Sequence, residues 1–184
     1  MLSLEQYKKE KKTIDIYEAS KLAVVLFFVP LILLGLPFYF LWRPVLQFYW
    51  YDILIFSLLF IVGIVLHELI HGLIFGLFAE SGFKSIRFGI LWSPITPYCH
   101  CVEPLKLRHY IIGALMPAII LGLIPAVISL FNGNLMLLII GVFFISAAAG
   151  DIMVIWILRK ESMETLVLDH PSEPGCFIYR KHSR

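Results

Sequence analysis

The chain has 184 residues, 60% of them hydrophobic, with 15 Lys and Arg against 13 Asp and Glu and a net charge of +2. Mean hydropathy is +0.88. That balance excludes an ordinary soluble domain, and so small a charge, with no basic cluster interleaved with aromatics, excludes nucleic acid as a partner. The expected solvent is lipid, around a single membrane domain spanning residues 1–184.

Residues 1–21 mix Lys8, Lys9, Lys11, Lys12 and Lys21 with Leu4, Tyr7, Ile14, Ile16 and Tyr17, the composition of a short interfacial helix. A bilayer needs roughly 20 apolar residues per helix. Four segments reach that length: residues 22–42, 53–79, 109–131 and 135–158. The first follows lysines as a signal peptide would. It lacks an Ala-x-Ala site and is too long for an h-region, so a retained anchor is expected. Phe48-Tyr49-Trp50-Tyr51 reads as part of an interfacial aromatic belt.

In the loop at 80–108, Ile86, Phe88, Ile90 and Trp92 alternate with Ser85, Arg87, Gly89 and Leu91, the pattern of a half-buried strand. Pro94 and Pro97 break it, and residues 98–102 read as a second short strand. The expected hairpin dips toward the membrane, where extended backbone is tolerated only against protein or a wet cavity. Asn132-Gly133-Asn134 joins the last two spans as a tight turn. In the tail at 159–184, apolar patches at 166–168 and 177–179 flank Asp169-His170-Pro171 and Pro174-Gly175. They predict a small hairpin suited to pair with the middle loop or to cover a site. The expected fold class is thus an all-α polytopic membrane protein with four transmembrane helices and a short cytosolic or membrane-dipping β-hairpin between the second and third.

Lysine and arginine are concentrated before the first span, in the middle loop (Lys84, Arg87, Lys106, Arg108) and after the last span (Arg159, Lys160), while the two opposite loops hold only Arg43. This asymmetry places both termini and the middle loop in the cytosol.

The chemistry lies in His67-Glu68-Leu69-Ile70-His71, inside the apolar span 53–79. On a helix, positions i and i+4 lie about 40° apart around the axis and about 6 Å apart along it, so both imidazoles can reach one Zn²⁺. Glu68 points about 100° away from His67, where it can take a proton from a zinc-bound water as general base. The plainer alternative, an i,i+4 His pair on a solvated helix face, has no such face here. Ionisable groups at membrane depth are costly enough to imply a role. His71 lies eight residues before the end of its span, and Asp151 seven before the end of the last. At 1.5 Å per residue both stand about 10–12 Å below the same surface. That depth makes Asp151 a third ligand, against the alternative of a helix-end residue reaching for water. Its neighbours Ala147, Ala148, Ala149 and Gly150 would let the helices approach closely. Candidates to contact substrate or stabilise the oxyanion are His100, Arg108 and His109, near the cytosolic mouth. Cys99 and Cys101 would share one face of a strand, compatible with metal binding, but three cysteines give no disulfide framework.

These residues, with the stretch from Pro97-Tyr98-Cys99-His100-Cys101 to Glu103-Pro104-Leu105, then Gly113-Ala114-Leu115-Met116-Pro117 and Ala149-Gly150-Asp151, resemble the putative zincin peptidase family of short bacterial membrane proteins. That family is related to the site-2 protease superfamily of intramembrane zinc metalloproteases. The resemblance implies a three-helix catalytic core, one Zn²⁺ on His67, His71 and Asp151, and residence in the bacterial inner membrane. It also implies a membrane-protein or peptide substrate. Site-2 proteases usually carry Asp-Gly at the third ligand, whereas here Gly150 precedes Asp151. They also carry an Asn after a Gly-Pro on the third span, which this chain lacks. An edge of the middle hairpin is a candidate to receive unwound substrate as an added strand. A non-proteolytic membrane protein using the same ligands for metal binding, regulation or transport is the rival reading. The sequence carries no signal of oligomeric state.

Overall fold

The computed structural model describes residues 7–45, 47, 49–91, 96–171 and 173–181. Leu4, Phe48, Trp92 and Pro94, used above, lie outside them. Helix α1 (Ile16–Trp42) starts where Asp15 accepts the Tyr17 N–H at 2.8 Å, satisfying a donor that the first turn leaves open. Helix α2 (Trp50–Phe78) starts where the Asp52 carboxylate takes the Tyr49 N–H at 2.9 Å.

The third long helix runs over Leu107–Asn132 as α3 (Leu107–Pro117), a π-helical stretch over Ala118–Leu123, and α4 (Ile124–Asn132). Pro117 removes a backbone donor where the winding changes. Gly133 takes a left-handed φ of 70° to end α4, and Asn134 caps α5 (Leu135–Ala147) by accepting the Leu137 N–H.

The segment expected as a span at 135–158 is broken. Beyond Ala148 the chain bends by 40° into α6 (Ala149–Leu158). Four small residues, 147–150, offer no bulk to hold a straight course, and the bend puts Asp151 in the first turn of α6. There the helix dipole favours a carboxylate. Among the described residues three helices are long and apolar enough to cross a membrane, or four if the bent pair is counted as one span. The chain is an integral membrane protein.

Two antiparallel sheets extend the expected all-α class to a mostly helical fold with strands. β2 (Ile86–Leu91) and β3 (Thr96–Cys101) form the middle hairpin. The second sheet has the order β1 (Tyr7–Thr13), β6 (Gly175–Lys181), β5 (Leu166–Asp169), β4 (Leu105–Lys106). The amino-terminal segment is therefore an edge strand, not the interfacial helix expected, and ion pairs hold it to the tail. Arg180 bridges Glu10 at 2.6 Å and Glu161 at 2.7 Å, and Lys11 meets Glu173 at 2.6 Å. Because this sheet draws on the chain before α1, before α3 and after α6, all three segments lie on one side of the helices.

Between that sheet and the helices lies the main core, including Phe75, Leu107, Tyr110, Leu158, Val167 and Ile178. A smaller cluster of Phe38, Ala126, Leu138 and Val142 closes the other end.

Candidate metal centre

Helix α2 presents His67 and His71 on one face, with ring centroids 4.8 Å apart and only 8% and 5% of each residue exposed. The bend before α6 brings Asp151 between them. Its Oδ2 stands 3.3 Å from His67 Nε2 and its Oδ1 3.4 Å from His71 Nε2. Two helices thus deliver three donor groups to one point, with all ligand atoms within 4.8 Å of one another.

The hydrogen bonds say what that point requires. His71 Nδ1 lies 3.0 Å from the carbonyl oxygen of Gly113. A carbonyl only accepts, so Nδ1 carries the proton, and in the neutral ring the Nε2 lone pair faces the Asp151 carboxylate. Two lone pairs so placed repel unless positive charge lies between them. A charge-assisted N–H···O⁻ bond would draw the atoms to about 2.7–2.9 Å. Ligand atoms around a tetrahedral ion with bonds of about 2.0–2.1 Å stand roughly 3.3–3.4 Å apart. The observed contacts, one to each carboxylate oxygen, are longer than such a charge-assisted bond, and two imidazoles with one carboxylate are a set suited to zinc. His67 Nδ1 is buried without a hydrogen-bond partner among the described residues.

A cavity of about 320 Å³ opens beside these groups and is lined in part by Glu68, Tyr98, Cys99, His100, Gly150 and Asp169. The backbone amide of Cys99 on β3 reaches the Glu68 carboxylate. Behind His71, rings stack in series: Phe75 at 5.8 Å and 13° from His71, then Tyr110 at 5.4 Å and 21° from Phe75. The Tyr110 hydroxyl donates to Asp169 Oδ1 at 2.7 Å, and the Cys101 N–H donates to Asp169 Oδ2 at 3.0 Å. Burial pushes the Asp169 carboxyl above its ordinary range, against the pull of those donors. Burial likewise pushes the Cys99 and Cys101 thiols up, which disfavours the thiolate form that binds metal.

His67, Glu68, His71 and Asp151 all line the cavity, and so does His100, stacked on Tyr98 at 5.3 Å. Arg108 and His109 do not. Arg108 pairs with Glu164 at 3.0 Å, and His109 stacks on Phe78 at 4.2 Å. The reason is helical phase. Leu107, Tyr110 and Ala114 turn inward from α3, which leaves Arg108 and His109 on its outer side. Sequence reasoning missed Tyr110 and Asp169. Asp169 carried only a turn signal, and its partners lie 59 and 68 residues away.

A family model described as putative zincin peptidase matches residues 60–166, more than half of the chain. No curated protein and no solved structure matches it.

Proposed function

The chain belongs to the putative zincin peptidase family, and from that premise we propose that it is an intramembrane zinc metallopeptidase akin to the site-2 proteases, hydrolysing peptide bonds of membrane-embedded or membrane-associated proteins. The observation that carries this reading is the pair of Nε2-to-carboxylate spacings, 3.3 and 3.4 Å, in a cavity that Glu68 also lines. His67, His71 and Asp151 would hold the ion. Zn²⁺ there supplies a Lewis acid that makes water nucleophilic near neutral pH.

The chain's own residues do the rest. The Glu68 carboxylate takes a proton from the attacking water and returns it to the leaving amine. The Nδ1–H of His71, held by Gly113, keeps Nε2 aimed at the site. Phe75 and Tyr110 wall the imidazole off from water. On the outer edge of β3 the Cys99 and Cys101 amides are taken by Glu68 and Asp169, so an unwound substrate strand added there would have to displace those bonds.

The membrane is the bacterial inner membrane, with both termini cytosolic. The basic segments before α1, in the middle loop and after α6 support this side, because the four-stranded sheet joins all three. The test is incubation of the protein in lipid nanodiscs with a library of single-span segments, read by mass spectrometry. Cleavage that stops with a chelator and returns with zinc is expected. No cleavage of any segment by zinc-loaded protein would overturn the reading.

A further inference from the structure

Four carboxylates line the metal cavity, those of Glu68, Asp151, Asp169 and Glu173, and among the described residues no Lys or Arg does. Attack on a peptide carbonyl builds negative charge on its oxygen. With no side-chain cation at hand, that charge calls for a positioned N–H or O–H donor.

Most donors of the cavity are engaged. The Tyr110 hydroxyl is given to Asp169, and His170 is held by Glu173, whose N–H its Nδ1 accepts at 2.9 Å. His67 and His71 turn Nε2 to Asp151. The Cys99 thiol is a weak donor. His100 is the exception. Its half-buried ring lines the cavity, and neither ring nitrogen has a hydrogen-bond partner among the described residues.

Strand β3 fixes where that ring sits. Cys99 gives its backbone N–H to Glu68 and Cys101 its own to Asp169, so His100 stands between the points where the strand meets the base and the buried acid. Strand alternation puts the Tyr98 and His100 side chains on one face, where their rings stack at 5.3 Å and 7°. Tyr98 lies over its cross-strand partner Gly89, where a Cβ would overlap the phenol ring and its hydroxyl. Glycine therefore clears β2, the phenol covers the cleared strand, and the imidazole rests on the phenol.

We propose that His100 donates a ring N–H to the oxyanion that develops on the scissile carbonyl, with Tyr98 and Gly89 as positioning residues that hold the imidazole plane. The proposal rests on the peptidase reading and adds a catalytic residue to it. The water oxygen bonds to the carbonyl carbon as Glu68 takes the water's proton, and the π pair moves onto the carbonyl oxygen. When that pair returns, the C–N bond breaks and Glu68 gives the proton to the departing nitrogen. His100 keeps its proton throughout, so the neutral imidazole and the imidazolium can both fill the role.

Two measurements test it, and the first needs no proteolysis. Zinc-loaded wild type, His100→Ala and His100→Phe are titrated with phosphoryl-leucinamide, a tetrahedral anion, and with leucine hydroxamate, a planar metal ligand. Both variants should lose about tenfold or more in affinity for the phosphoryl compound, with hydroxamate affinity and zinc content at wild-type levels. Unchanged phosphoryl affinity, an equal loss for both probes, loss of zinc, or a wild type that binds no phosphoryl compound overturns the proposal. This arm decides on His100 even if wild type cleaves no segment, the result that overturns the peptidase reading.

The second compares turnover on a single-span segment that wild type cleaves. In His100→Ala, and in His100→Phe, which keeps a ring on Tyr98 but has no donor, kcat should fall about 10²–10³-fold with KM little changed. His100→Gln, which retains an amide N–H, should turn over faster than either. Wild-type kcat in His100→Phe overturns the proposal by assigning the ring to packing. A raised KM with kcat intact overturns it by assigning the ring to substrate binding.

Discussion

His71 donates its Nδ1–H to the carbonyl oxygen of Gly113 at 3.0 Å, joining the second and third spans at the atom that fixes the ring's tautomer. Gly113 can lie that close because it has no side chain: a Cβ there would enter the ring of Phe75. One residue therefore orients the ligand and admits the ring that stacks behind it.

Gly113→Ala should be costly on both counts. Overpacking against Phe75 is expected to cost about 1–3 kcal/mol, read as a lower melting temperature in detergent. A displaced carbonyl should also weaken zinc about tenfold or more in a competition titration, the usual size of such second-neighbour effects. Unchanged zinc affinity would mean that Gly113 serves packing alone.

Glu68→Gln separates hydrolysis from metal binding. Zinc content should equal wild type, because Glu68 is not among the proposed ligands His67, His71 and Asp151. Turnover should fall about 10²–10⁴-fold, the contribution of a positioned base. Equal turnover in wild type and variant would favour the rival reading of a membrane metal-binding protein.

Asp169 predicts a pH dependence of stability. Burial raises its folded-state pKa above that of the unfolded chain, so the folded state binds the proton more tightly. Stability from this group is complete below the unfolded carboxylate value of about 3.9 and is lost as pH rises through the raised folded value. Asp169→Asn should flatten the melting temperature across that window. A wild-type and a variant curve of the same slope would contradict the assignment.

Much of the site could be read from sequence because it depends on helical phase and rise. The i,i+4 spacing put His67 and His71 on one face, and residue counts from the span ends put Asp151 at their level. The middle hairpin showed in the alternation of Ile86, Phe88 and Ile90. Other features had no local signal. Residues 7–13 carry charge where a strand would alternate, because β1 is an edge held by pairs such as Arg180 with Glu10 and by Lys9 over the Phe177 ring at 3.7 Å. The bend before α6 falls in the small-residue run Ala147-Ala148-Ala149-Gly150, which the sequence offered only as a signal of close helix packing. Asp169 reads as a turn residue until the tail hairpin folds back against β3 and α3.

Metal content measures the central claim most directly. Purified wild type should carry about one zinc ion per chain by mass spectrometry, and His67→Ala and Asp151→Ala, each folded by its melting transition, should carry almost none, as loss of one of three ligands implies. Wild-type zinc retained in both variants would contradict the site.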